Sequence, residues 1–531
     1  MSLKDIYTFW FDSPQFWFNS TPNNDEIITV KFKSILDDPT KISYGASHEE
    51  SIGYILLYDQ ITRHVNRTNQ ALIDEHLKKI VPFVLEFYKT NKERINSIEF
   101  GFVMLPLRHT KSYDKFLFVL REAWNRINLA KTESDKSNYV RFIKASYERY
   151  LKFSLEDDQR NIEKFTPKTL EKLSDSILSI LDKRCRFDLI QRKIFEKFIQ
   201  LEQPDKIDKM YKISEYLEKN KKYILSLSGG VDSMVLSYIL KQKSIDFVTV
   251  HISYENRTEC AEEVELLREW CSFLGIELYV RRIHEIKRAN CMNFSLRELY
   301  EDYTRDIRFN TYRLVGKIIG ADSARVFLGH NKNDSFENIL TNIASQSHYD
   351  NLRGMDPMQN ISGILFYRPL LNTTKEDIYK FSELNFIPHL PNSTPSWSQR
   401  GKIRDQVKPT LVQWNPTSIE SFFKLSNELG SYVKFIESMA TDVAEKLIQN
   451  KSVQFDIKNI PTLEYYWLYV FRKNNIWIST KSNNNWIEKI NFIKENFDKI
   501  HLNTLSKINL NKERQIFWKK INSSLIEMWK S

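Results

Sequence analysis

The hexapeptide Ser228-Gly229-Gly230-Val231-Asp232-Ser233 constrains what this chain can fold into more than any other stretch. The residues before it, 223–227, form a short apolar run with strand character, and those after it repeat apolar residues at helical spacing through Gln242. Two adjacent glycines let the backbone turn tightly and present its N–H groups to an anion. The helix that follows adds the partial positive charge of its N-terminus. Ser228 and Ser233 offer hydroxyl donors to phosphate oxygens. Asp232 would repel a bare phosphate, so its chemical use is as a ligand to Mg²⁺. No Lys follows the second glycine, which excludes the G-K-[ST] type of phosphate loop. A glycine pair alone is an ordinary turn; its setting between a buried strand and an amphipathic helix makes the string specific.

The surrounding texture agrees. Short β-branched runs at 223–227, 247–252, 276–280 and 326–329 alternate with helical patterns at 233–242, 261–274 and 295–319. Strands separated by helices of this length predict a parallel sheet covered on both faces. Residues 1–200 read as helical, for example at 71–88 and 112–128. Beyond about residue 410 the pattern is helical again, notably 418–450, and ends in a basic tail carrying Trp467, Trp477, Trp486, Trp518 and Trp529. The expectation is an α/β domain over 219–412, flanked by an all-α domain (1–200), a linker (201–218) and a mostly helical basic region (413–531). A chain of 531 residues exceeds one ordinary core.

Composition narrows the class. Apolar residues at 41% permit folded cores, and 78 Lys and Arg against 68 Asp and Glu leave a surplus of 10 positive charges. That surplus favours a polyanionic partner such as nucleic acid, with a Lys-rich solvated surface as the bland alternative. No run approaches the ~18 apolar residues of a membrane span, and the first residues lack a signal-peptide pattern. A cytoplasmic protein without membrane contact is the default expectation; the oligomeric state is not legible. The four cysteines (Cys185, Cys260, Cys271, Cys291) form no C-x-x-C and read as isolated buried thiols.

S-G-G-x-D-S resembles the signature of the N-type ATP pyrophosphatases, which include tRNA lysidine synthase, tRNA thiolases and the GMP, NAD and asparagine synthetases. The resemblance implies a PP-loop, adenine nucleotide alpha hydrolase-like fold that binds ATP and Mg²⁺ and holds pyrophosphate as leaving group. Three further segments are similar to the tRNA(Ile)-lysidine synthase branch, over roughly residues 219–430. The first is His251-Ile252-Ser253-Tyr254-Glu255-Asn256-Arg257, without the family's second histidine; backbone groups around Val250 and His251 would face adenine, and Arg257 would bind tRNA. The second is Gly329-His330-Asn331-Lys332-Asn333-Asp334-Ser335-Phe336-Glu337. Asp334 and Glu337 share a helix face, where two carboxylates could hold a lysine ammonium and take its proton. The plainer reading is an acidic helix start complementing the dipole.

The third runs from Asn392 to Arg404, with Gly401 in place of the family's asparagine and Asp405 in place of its histidine. Arg400, Lys402 and Arg404, with Arg308 of an Arg-aromatic pair, would contact tRNA. Arg368-Pro369-Leu370 matches a recurring turn, and Arg281, Arg282, Lys287, Arg288, Arg297 and Arg305 add a basic stretch or an ordinary solvated face. The implied partners are the anticodon region of a tRNA and L-lysine, with a tRNA thiolase or a degenerate RNA-binding scaffold as alternatives.

Near the N-terminus, Phe9-Trp10-Phe11, Leu57-Tyr58-Asp59-Gln60-Ile61-Thr62-Arg63, Arg67 and Met104-Leu105-Pro106-Leu107-Arg108-His109-Thr110 resemble a bacterial family of unknown function with a helical, TPR-like fold. Asp59, Arg63, Arg67 and His109 form either a polar pocket or a buried ion-pair network.

Overall fold

The computed structural model describes residues 2–17, 21–38, 47–110, 112–127, 129–150, 161–170, 173–185, 213–218, 220–256, 259–288, 291, 294–345, 349–391, 398–449, 451–474, 476, 480–503, 505–510 and 515–530. The proposed linker residues 201–212, Arg257, Trp477 and the start of the 392–404 segment lie outside them. The chain divides into two compact units. The first holds 1–328, 359–367 and 382–391; the second holds 329–358, 368–381 and 392–531.

In the first unit the N-terminal third is helical, as its spacing predicts. Helices Leu3–Asp12, His48–Leu56 and Ser97–His109 each open on a capping box, with Ser2, Ser47 and Asn96 as N-caps and Asp5, Glu50 and Glu99 three residues into the helix. Gly53 is required where the first two of these cross, since a Cβ there would lie 2.0 Å from the Leu3 carbonyl oxygen. After His48–Leu56 the chain makes one wide π-helical turn, Leu57–Ile61, with every residue buried.

A seven-stranded sheet follows. Its strands are β1 (Ile162–Phe165), β2 (Tyr223–Ser226), β3 (Phe247–Ser253), β4 (Leu278–Arg282), β5 (Arg325–Phe327), β6 (Met358–Ile361) and β7 (Ile364–Tyr367), in the order β1-β4-β3-β2-β5-β7-β6. From β4 to β7 all pairs are parallel, with Leu225 opposite Thr249 on one side and Phe327 on the other. The crossover helices Val231–Gln242, Cys260–Leu274 and Phe294–Ile318 lie close to the spans expected from spacing. Because the chain winds from β2 through β3 to β4 and then returns to β5, the order reverses beside β2. Open α/β sheets bind ligands at such a point.

The edge strand β1 was not expected. It follows the helical third in sequence and pairs antiparallel with β4, Glu163 opposite Val280. Ion pairs Arg282–Glu163 (2.8 Å) and Lys164–Glu277 (2.8 Å) flank it. One apolar core runs from Leu3 and Trp10 through Ile143 to Ile224, Tyr303 and Phe366, so the helical third and the sheet share it. Tyr147 donates a hydrogen bond to Asp306 across that join and packs its ring against Tyr303, 5.9 Å between centroids.

In the second unit, helix Lys332–Ala344 packs Phe336 edge-on to Phe422 of the long helix Ser418–Ile448, 5.9 Å between ring centroids. The region beyond residue 413 is mostly helical, but it also contains a four-stranded antiparallel sheet that spacing did not reveal. Its strands are β8 (Val453–Asp456), β9 (Leu505–Asn509), β10 (Gln515–Lys520) and β11 (Leu525–Lys530), in the order β8-β11-β10-β9. Trp467 and Trp486, on helices, and Trp518, in β10, are buried in one apolar core. Among the described residues, no helix is long and apolar enough to cross a membrane.

Candidate active site

In the first unit the candidate site is the turn between β2 and helix Val231–Gln242. Gly229 adopts φ +83, which only glycine takes without strain, and a Cβ there would stand 3.0 Å from Leu390 Cδ1. Leu390 donates its N–H to the Gly229 carbonyl at 2.8 Å and bridges Gly230, fastening the turn from outside. The two serines have different jobs. Ser233 is buried; its Oγ accepts the Ser228 N–H (3.1 Å) and donates to the Gly230 carbonyl (3.1 Å), so it is a strut that shapes the loop. Ser228 is exposed, its Oγ 3.1 Å from that of Ser233, and is the hydroxyl that faces outward. Val231 is buried and Asp232, in the first helical turn, is half-buried. The loop thus offers backbone N–H groups, a helix N-terminus, one outward hydroxyl and one carboxylate. Mg²⁺ takes few protein oxygens and completes its shell from phosphates and water, so a single well-placed carboxylate fits that ion.

Behind the loop, His251 Nδ1 donates to the Leu227 carbonyl at 2.8 Å, and burial lowers its pKa to about 4. The ring is therefore neutral at physiological pH, with Nε2 as its acceptor nitrogen. Val250 and His251 lie within β3, and the Val250 carbonyl already accepts the Leu227 N–H at 2.8 Å. Tyr312 donates to Ser226 Oγ at 2.7 Å, a brace no motif announced. One turn away, the Arg308 guanidinium lies 5.8 Å from the Phe309 ring centroid. Four residues of the basic stretch are paired locally: Arg281 with Glu285, Arg282 with Glu255 and Glu163, Arg297 with Glu301, and Arg305 with Asp302.

The second unit carries the acidic pair. Asn331 caps helix Lys332–Ala344, and Asp334 closes the box by accepting the Asn331 N–H on Oδ2 at 3.0 Å. Its Oδ1 accepts from Arg400 Nη2. Glu337 is 4% exposed; Oε2 accepts from Arg400 Nε (2.8 Å), and Oε1 from Arg404 Nε (3.0 Å) and Nη2 (2.8 Å). The two motifs read separately from sequence, a carboxylate pair for an ammonium and arginines for RNA, are therefore one charge cluster. Burial works against the Arg400 charge, but Asp334 and Glu337 hold its pKa above the usual guanidinium value. Lys402 stays exposed, and Gly401, standing where the related motif has asparagine, is buried with its N–H on Ser398 Oγ at 3.1 Å. Asp405 is exposed in the π-helical turn Ile403–Val407. Trp414, at the end of helix Lys408–Trp414, is 77% exposed. Buried Arg368 donates to His330 Nδ1 (3.2 Å) and to the Asp356 carbonyl (2.7 Å), which is the work of the Arg-Pro-Leu turn.

A doubly wound parallel sheet with this loop at its reversal point defines a PP-loop protein, and residues 200–411 match the PP-loop domain family. The tRNA(Ile)-lysidine synthase of Chlamydia muridarum is 31% identical over 243 residues, covering 45% of this chain and 73% of that one. The chain belongs to the tRNA(Ile)-lysidine synthase family. The enzyme of that name from Chlamydia pneumoniae is 28% identical over 200 residues (37% of this chain, 59% of that one), and that of Bacillus anthracis 27% over 270 residues (49% and 55%). The chain thus spans little more than half the length of these two relatives. Residues 6–166 match a separate family, described as a bacterial protein of unknown function (DUF924).

Proposed function

We propose that this protein is an ATP-dependent ligase that adenylates the wobble cytidine of a tRNA(Ile) and joins lysine to it, forming lysidine. The observation that carries this reading is the Ser228–Ser233 loop at the sheet's reversal point, in a chain of the lysidine synthase family. In the first step the cytosine 2-oxygen attacks the α-phosphorus of ATP and pyrophosphate leaves. In the second, the lysine amine attacks C2; the C–N bond forms, the C2–O bond breaks, AMP leaves and the amine gives up its proton. Adenylation converts a poor leaving group into a good one. The loop's N–H groups and Ser228 hold the pyrophosphate moiety, and the N-terminus of helix Val231–Gln242 favours its charge. Mg²⁺ bound with ATP would neutralise phosphate charge, and Asp232 is the carboxylate this chain offers it.

Asp334 and Glu337 suit the lysine ammonium because the pair already holds a cation, the Arg400 guanidinium. Exchange of one cation for the other would free Arg400 for a tRNA phosphate. Lys402, Arg404 and Arg308 add positive charge, and Trp414 offers an exposed ring for a base to stack on. A thiolase reading is disfavoured because the four cysteines form no C-x-x-C, and burial pushes two of them, Cys271 and Cys291, up to about 12. Two assays test the proposal. Pyrophosphate should be released from ATP only when tRNA is present, and labelled lysine should enter a tRNA with a C-A-U anticodon. Pyrophosphate release without lysine entering any tRNA would sink the lysidine assignment.

A further inference from the structure

Tyrosine hydroxyls fasten helix Phe294–Ile318 to its surroundings, and one of those tyrosines belongs to the N-terminal third. Toward the start of the helix, Tyr303 donates to Glu285 Oε1 at 2.9 Å, and Glu285 pairs with Arg281 of β4 at 2.9 Å. Midway along, Tyr147 of helix Glu133–Tyr150 donates to Asp306 Oδ2 and lays its ring against that of Tyr303. Toward the end, Tyr312 donates to Ser226 Oγ at 2.7 Å, on the last residue of β2. Ser228 opens the phosphate loop just beyond.

The segment 6–166, which includes Tyr147 and β1, has no part in the proposed chemistry. It nevertheless meets the sheet by two different means. β1 pairs with β4, placing Ile162 opposite Arg281, the residue that Glu285 holds. Tyr147 grips the helix that lies on the sheet. The shared apolar core would keep the two segments together by itself, but apolar contact is non-directional and lets a helix turn about its axis. A hydrogen bond fixes one atom against another. A carboxylate acceptor makes this bond one of the stronger kind. Burial and the Asp306 carboxylate raise the pKa of the Tyr147 phenol, so it stays a donor. From Asp306 to Tyr312 is about 9 Å of helix at ~1.5 Å per residue, short enough for one end to set the other as a rigid element.

We propose that Tyr147 is a positioning residue for nucleotide binding: through Asp306 it sets helix Phe294–Ile318, whose Tyr312 braces the strand that runs into the Ser228–Ser233 loop. The N-terminal third thereby serves the nucleotide site without touching the nucleotide. The inference rests on the reading of that loop as an ATP site, and on neither lysine nor tRNA as partner.

The test is calorimetric titration of the full chain with ATP and Mg²⁺, without tRNA. Tyr147→Phe keeps the ring and removes the hydroxyl, and should weaken ATP binding about threefold or more. Tyr312→Phe should do the same. The double variant separates positioning from packing. If Tyr147 acts through Tyr312, losing both hydroxyls should weaken binding no more than the larger single loss; unconnected effects would multiply. Should Tyr147→Phe not fold, Asp306→Ala takes its place in the same cycle. ATP binding by the Tyr147→Phe variant equal to that of wild type, or losses that multiply in the double variant, overturns the proposal. A wild-type chain that binds no ATP would overturn the reading of the loop, and the proposal with it.

Discussion

Asp232 and His251 stand at opposite ends of what a single side chain does at this loop. On the proposed reading, Asp232 acts on the Mg²⁺ that comes with ATP. Replacing it with alanine should lower tRNA-dependent pyrophosphate release about a hundredfold or more, the scale of removing one group that stabilises developing charge. Melting should be unchanged, and undiminished turnover would remove its metal role. His251 acts on the fold itself. Its folded pKa of about 4 lies below the ordinary 6.5, so the unfolded chain binds its proton more tightly. The stability it contributes is complete above about pH 6.5 and is lost as pH falls toward 4. The melting gap between wild type and His251→Gln should therefore shrink over that window in thermal scans; a constant gap would contradict the assignment. At this scale the sequence spoke clearly about the loop, because tight turns and helix starts are local demands. It was silent on Ser233 as a strut and on Arg400 and Arg404 sitting on Glu337. Those partners lie 63 and 67 residues away, and only the tertiary fold chooses them.

Among elements, Glu337 joins two helices of the second unit through ion pairs. The short helix Gln399–Lys402 and the turn after it are held to helix Lys332–Ala344 by Glu337, which takes both arginines, and by Asp334, which takes Arg400. Glu337→Gln should cost about 1–3 kcal/mol in chemical denaturation, less than a fully buried pair because both guanidiniums reach solvent. A loss within experimental error would mean the clamp is not holding. Four of the five parallel strands, with the helices between them, were legible to within a few residues, since strands buried on both faces are continuous apolar runs; β7 was not. The last antiparallel strands were not. In β10, Phe517 points outward yet is apolar because it stacks on Trp529 of β11, 6.0 Å between centroids, while Lys520 points inward and donates to the Phe497 carbonyl. An apolar residue outside and a lysine inside erase the alternation by which such a strand is recognised.

At the scale of the molecule, the 6–166 match and the sheet of the PP-loop match share the first folded unit. The helical third shares a core with the parallel sheet, and β1 seals the edge at β4. A chain beginning at residue 213 should consequently expose the β4 edge and self-associate in size-exclusion chromatography. One beginning at residue 161 keeps β1 and should do so less; identical behaviour of the two would show that β1 gives no protection. The seal also has a place in time. On the ribosome, β1 emerges long before β4, so the helical third is made first and waits with a strand already spelled out. The sheet can take its final edge only after the chain has grown past Arg282, at which point the earlier segment is there to receive it. Synthesis from the N-terminus thus supplies the protecting strand ahead of the edge that needs protection.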